Sequence, residues 1–376
     1  MATQKKNGNL VAIITMIFLF GMISFVTNLA APIGVIWKNQ PQFEGSNFLG
    51  MLGNMMNFLA YLFMGIPAGK LLTRIGYKKT ALAAIAVGFF GVLIQYLSGI
   101  IGVGSQLFTL PANFFVYLLG AFVAGFSVCM LNAVVNPMLN LLGGGGNKGN
   151  QLIQIGATFN SLAATLTPMF VGALIGDITK DRVLSGEITI NSVNPILYIA
   201  LGVFAATFLI LLFIPIKDPD ENRSRNTEIK YEHSPWNFRH FVLGAIAIFI
   251  YVGVEVGIPG TLNFFLADVS DKGAALNPQK AAAIGGFVAG TYWFLMLIGR
   301  FIGSLIGGKI SSKAMLTSVA TGGIILVLLA IFLPKNLTTS MPVFTGFIIW
   351  YGTSSSYCFV FSAMRFVYFS YVGMYF

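Results

Sequence analysis

Apolar residues in this chain come in long unbroken runs. They show neither the alternation of a half-buried strand nor the stripe of a surface helix. The runs cover roughly 9–36, 47–72, 79–100, 111–142, 150–176, 194–216, 239–267, 280–308, 314–333 and 341–368. Each reaches the about 20 residues that a helix needs to cross roughly 30 Å of hydrocarbon, so ten membrane spans are predicted. Polar interruptions fall at 40–45, 74–79, 143–149, 177–194, 217–237, 268–280 and 334–339, with a weaker break at 103–106. The 217–237 stretch is the most polar. It mixes Lys217, Arg223, Arg225 and Lys230 with Asp218, Asp220, Glu221, Glu228 and Glu232, and divides six spans from four. It reads as a solvated linker. The expected organisation is an N-terminal six-helix half over 1–216, a cytoplasmic linker over 217–238 and a second half of about four spans over 239–376.

Composition removes the soluble alternative. Of 376 residues, 56% are hydrophobic and 9% charged, against roughly 25% charged in a soluble protein. Soluble enzymes with large polar active sites are excluded. The first run is too long for the apolar core of a signal peptide and lacks a small-residue cleavage site, so it is read as the first span. The net charge of +10 raises a nucleic-acid partner, but the placement of the charges argues otherwise. With the N-terminus in the cytoplasm, 15 of the 22 Lys and Arg fall on the cytoplasmic side, among them Lys5, Lys6, Lys70, Arg74, Lys78 and Lys79. Six (Lys38, Lys180, Arg182, Lys272, Lys280 and Lys335) fall opposite, and Arg300 lies within a span. That asymmetry orients the chain and accounts for its basicity without a polyanion. Cys129 and Cys358 sit in apolar runs, so no disulfide is expected, and no metal-ligand spacing or cofactor motif occurs. The glycines 143–146 lack the ending of a phosphate loop, because Lys148 is followed by Gly149.

A weak repeat links the two halves. Gly69, Leu71, Lys79 and Leu82 recur as Gly303, Leu305, Lys313 and Leu316 at one constant offset. The same offset sets the first span on the seventh, as expected of parallel repeats in transporters. It also sets Phe376 opposite Leu142, which leaves the fifth and sixth spans without counterparts. Five of the 13 tyrosines crowd the last 26 residues. An incomplete or frame-altered C-terminus is therefore expected, with a natural ten-span protein as the alternative.

The stretch from Gly69 to Leu82 resembles the signature loop of the major facilitator superfamily. Gly69, Leu71, Arg74, Gly76 and Lys78 match, and Thr73 replaces the family's acid. Phe18 to Pro32, Asn132 to Pro137, Thr158 to Ser161, Tyr251 to Val256 and Gly299 to Gly303 resemble its fucose permease and glucose/galactose transporter branch. The resemblance implies two six-helix halves, an all-α membrane fold whose second half is incomplete here, and monosaccharide transport. It also implies that two acids of the branch, one for sugar binding and one for protonation, fall at Asn28 and Asn132. The sugar-binding Gln falls at Ala157, and its Asn is kept as Asn160.

Polar side chains inside spans are costly unless they meet a cavity or a partner, which makes each a candidate. Sugars need amides and hydroxyls for their hydroxyl groups and aromatic faces for their C–H surfaces. Asn28, Asn132, Gln154 and Asn160 supply the amides, and Tyr292 and Trp293 are the stacking candidates. Gln154, three residues before Ala157, stands near enough on the helix to replace the missing Gln. The alternative is that these amides only join helices. Asn136, beside Pro137, is expected to satisfy backbone freed by the proline. Glu255 is the one acid deep in a span and is the candidate for coupling to a proton or sodium. Arg300 has two readings: its stem reaches the headgroups, or it partners Glu255 or an anionic sugar. Gly69, Arg74, Gly76 and Lys78 are the conformational loop. The expected function is secondary active transport of a monosaccharide by a monomer in the plasma membrane, a bacterial inner membrane, with lipid and sugar as partners. An uncoupled facilitator, a transporter of another organic solute, a membrane-embedded enzyme and a non-transporting remnant are the alternatives. The enzyme reading fails on chemistry, since only Glu255 and Arg300 are charged at depth.

Overall fold

The fold is that of a computed structural model, which describes residues 2–43, 46–176, 178, 180–214, 235–239, 241–247, 249–250, 294, 296–311, 314, 317–318 and 321–322. Helices dominate: α1 (Ala2–Asn39), α2 (Asn47–Leu97), α3 (Ala112–Leu142), α4 (Gly146–Ile175), a short α5 (Lys180–Leu184) and α6 (Asn194–Phe213). Five described helical stretches are long and apolar enough to cross a membrane: Leu10–Asn39, Phe48–Leu97, Ala112–Leu142, Gly146–Ile175 and Ile190–Phe213. A shorter apolar helix covers Met296–Ile306. The expected spans at 239–267, 280–308 and 314–333 are described only in part, and the one at 341–368 lies outside the described residues.

The expected interruption at 74–79 takes a different form. Helix continues through those residues, and only Gly76 leaves helical geometry, at φ 80° and ψ 176°. Its 51 residues would make a straight α2 about 77 Å long, far beyond a bilayer. Gly76 divides it into two lengths that each suffice to span. At 103–106 the weak break becomes a turn and a two-residue hairpin, β1 (Gln106–Leu107) against β2 (Leu110–Pro111), with Phe108 and Thr109 at positive φ. This small β element was not expected in an all-helical chain. The break at 143–149 is also shorter than expected. Gly144, Gly145 and Gly146 all have positive φ, and the helix restarts at Gly146.

By Cα proximity the chain falls into two compact units, one of 1–138 with 163–227 and one of 139–162 with 228–376. In the first, small residues bring backbones together. A Cβ added to Gly91 would lie 2.5 Å from the Ala124 nitrogen, and one added to Gly125 would lie 2.5 Å from the Asn57 carbonyl oxygen. Close approach through glycine is how helices associate where lipid removes the hydrophobic drive. Trp37, Phe43, Phe114 and Tyr117 form a buried aromatic cluster, with Trp37–Phe114 centroids 5.0 Å apart and Phe43–Phe114 4.8 Å apart. Polar residues in the helices mostly satisfy themselves. Thr15, Thr27 and Thr207 each donate to the carbonyl four residues back, at 2.9, 2.8 and 2.6 Å. Large apolar side chains cover the outside instead, including Leu62 at 75% exposure and Phe213 at 80%. An apolar exterior of this kind suits a surface that faces acyl chains.

Candidate functional site

In the first unit two of the candidate amides have resolved partners. Asn28, on α1, donates from Nδ2 to the Ser24 carbonyl at 2.8 Å and to Ser24 Oγ at 3.1 Å. Asn132, on α3, donates from Nδ2 to Tyr61 Oη at 2.8 Å and to the Val128 carbonyl at 3.1 Å. Its Oδ1 accepts from Asn136 Nδ2 at 3.4 Å. Both amides are half-buried, as is Tyr61 on α2. Asn136 Nδ2 also reaches the Asn132 carbonyl at 2.8 Å. The carbonyl that Pro137 deprives of a donor is that of Ala133, four residues before the proline. Asn136 therefore does not repair the proline gap and instead extends the chain of polar contacts from Tyr61 through Asn132.

The second unit, by itself, holds another set. Arg300 is half-buried, and its Nη1 donates to Ser161 Oγ at 2.5 Å, to the Ala157 carbonyl at 3.2 Å and to Asn160 Oδ1 at 3.3 Å. Residues 157, 160 and 161 share one helix face at i, i+3 and i+4 spacing, which is why one nitrogen meets all three. The guanidinium thus turns towards α4 and not along its stem to a headgroup. Gln154 is buried one turn earlier, and its carbonyl accepts from Thr158 Oγ1 at 2.8 Å. Gln151 Nε2 donates to the Ser304 carbonyl at 2.9 Å, close to Gly307 and Gly308. Glu255, Tyr292 and Trp293 lie outside the described residues.

The Gly69 to Leu82 stretch carries a third cluster, in the first unit. Lys78 Nζ donates to the carbonyls of Leu212 at 3.0 Å and Ile214 at 2.7 Å. These close the C-terminus of α6, where carbonyls lack helical donors and the dipole favours a cation. Thr73, in place of the family acid, donates to the Lys70 carbonyl at 2.9 Å. Arg74 is exposed, and a Cβ on Gly69 would meet nothing within 4 Å. Outside the spans, Glu187 accepts from Arg182 at 2.7 Å. That hydrogen bond, aided by the charge of Arg182, holds the carboxyl below the usual range. Cys129 is buried and carries a free thiol, and the described residues hold no group of three or more potential metal ligands.

Sequence reasoning missed Tyr61 and Ser161 as contributors. Ser161 stood within a segment already noted, and its position four residues from Ala157 was a usable signal. Nothing in the sequence paired Tyr61 with Asn132, which lie 71 residues apart.

The Major Facilitator Superfamily pattern matches residues 13–374. A glucose/galactose transporter of Brucella abortus is 33% identical over 309 residues, covering 81% of this chain and 68% of its own length. A putative glucose/galactose transporter of Helicobacter pylori is 30% identical over 350 residues, covering 92% and 79%. Among solved structures, the Escherichia coli fucose:proton symporter superposes with a TM-score of 0.68 over 97% of this chain and 90% of its own, at 17% identity, a likeness of fold alone. The chain belongs to the Major Facilitator Superfamily, in the branch of the fucose and glucose/galactose transporters, and is a multi-pass membrane transporter, not an enzyme.

Proposed function

We propose that this chain is a secondary transporter of a neutral monosaccharide, working by alternating access, with its N-terminus in the cytoplasm. One observation carries the reading: Asn28, Asn132 and Asn160 lie well inside apolar helices, each already oriented by a second polar group. An amide at that depth is expensive unless something polar meets it. The names of the Brucella and Helicobacter relatives support a hexose, and that of the fucose symporter supports proton coupling. Asn28 and Asn132 cannot exchange a proton, so Glu255 is proposed as the coupling group, for a proton or for sodium. The competing reading is an uncoupled facilitator. It draws support from the neutrality of both amides.

The test is a melting-temperature screen of the purified chain against hexoses, pentoses, amino sugars and sialic acids. A neutral monosaccharide should raise the melting temperature. Asn160→Ala should weaken its binding by roughly 2- to 12-fold, as for one hydrogen bond. Stabilisation by none of the neutral sugars would contradict the proposal.

A further inference from the structure

The amide bonds of Asn28 and Asn132 have a common consequence. An amide side chain carries two N–H donors and one carbonyl acceptor. At Asn28 the nitrogen faces the Ser24 carbonyl and Ser24 Oγ, at 2.8 and 3.1 Å. At Asn132 it faces Tyr61 Oη and the Val128 carbonyl, at 2.8 and 3.1 Å. In each case one of the two partners is a backbone carbonyl, which can only accept. Turning either amide over would set oxygen against oxygen at those distances, so the orientation is fixed by chemistry. Each amide nitrogen is thus turned onto acceptors within the protein. What each side chain turns away from those partners is its carbonyl oxygen. Asn28 Oδ1 takes no partner among the described residues, and Asn132 Oδ1 takes one long bond from Asn136, with a lone pair to spare.

We infer that Asn28 and Asn132 are acceptor-only, permanently neutral binding groups, each taking a hydrogen bond from a substrate hydroxyl, with Ser24 and Tyr61 as the positioning residues that lock them so. This rests on the transport reading above and narrows its substrate. The face of the ligand that meets these two residues must donate. A carboxylate, phosphate or carbonyl oxygen there would meet oxygen with oxygen, whereas a sugar hydroxyl satisfies both. The two amides thus keep the hydrogen-bonding sense of a carboxylate and lose its titration. Binding at these two points needs no proton.

Paired sugar analogues distinguish donor from acceptor roles. Replacing a hydroxyl by hydrogen removes both roles. Replacing it by fluorine removes the donor and keeps size and electronegativity. The probes are the deoxy and deoxyfluoro derivatives, at each ring position, of whichever of D-glucose, D-galactose and L-fucose binds the full-length chain most tightly. Two positions are expected where the fluoro analogue binds as weakly as the deoxy analogue. Both should be roughly 5- to 150-fold below the parent, as when a buried acceptor is left without its donor. Tyr61→Phe releases one N–H of Asn132. It should shrink the parent-to-fluoro ratio at one of those positions by several-fold and leave the other unchanged. A role confined to helix packing would weaken all analogues equally. If every fluoro analogue binds like its parent while some deoxy analogue fails, the acceptor assignment is overturned and sugar transport stands. If none of the three sugars binds, the transport reading itself falls for hexoses, and this inference with it.

Discussion

Gly76 bears the sharpest structural demand in the family's signature stretch. Its φ of 80° and ψ of 176° lie in a region that only glycine occupies without strain. An alanine there keeps the break in α2 at a cost of about 1–3 kcal/mol, or straightens a helix too long for the bilayer. Gly69, in the same helix, is the internal control, because a Cβ there meets nothing within 4 Å. Gly69→Ala should be neutral or gain about 0.5–1 kcal/mol, since alanine is the better helix former. Melting of purified protein in detergent, followed by the loss of a monodisperse chromatography peak, reads both. Gly76→Ala should melt roughly 1–4 °C below the parent, given about 1.3 °C per kcal/mol in a chain of this size. Gly69→Ala should melt at or slightly above it. If both variants melt together at the parent temperature, Gly76 does not hold the break by its conformation.

Three further outcomes are expected. Lys78→Met removes the cation that closes the C-terminus of α6, so melting should fall by about 1 kcal/mol's worth of stability while Lys78→Arg retains it; equal melting of both variants and parent would show the cap to be idle. Glu255→Gln should abolish uphill accumulation under a pH or sodium gradient yet leave sugar exchange running, and continued accumulation by this mutant would remove Glu255 from coupling. Ser224→Cys should resist an impermeant maleimide in intact cells if six spans follow the proposed cytoplasmic N-terminus, whereas labelling from outside would reverse the proposed sidedness.

Much of the helical layout was legible because lipid imposes a simple code of about 20 apolar residues per crossing. The runs at 111–142 and 194–216 correspond closely to α3 and α6. The 74–79 interruption was harder, since its polar residues continue as helix and the break depends on the backbone angles of one glycine. The hairpin at 106–111 is too short to leave a pattern. At the site, Asn28, Asn132 and Asn160 were legible as polar groups in apolar surroundings. The orientations of Asn132 and Asn160 were not. They follow from Tyr61 meeting Asn132 across 71 residues and from Arg300 meeting Asn160 across 140, pairings that only the folded chain brings together. The same holds for Lys78, which seeks the end of a helix 134 residues on.

The central claim is that this chain carries a neutral monosaccharide across the membrane. Counterflow in proteoliposomes tests it most directly. Vesicles containing the purified full-length chain are loaded with unlabelled D-glucose, D-galactose or L-fucose and diluted into a trace of the same labelled sugar. Transient, saturable accumulation of label for at least one of the three is expected, with or without an ion gradient, and it should be reduced in Asn160→Ala. Label that enters no faster than into protein-free vesicles, for all three sugars and with folded protein recovered from the membranes, would contradict it.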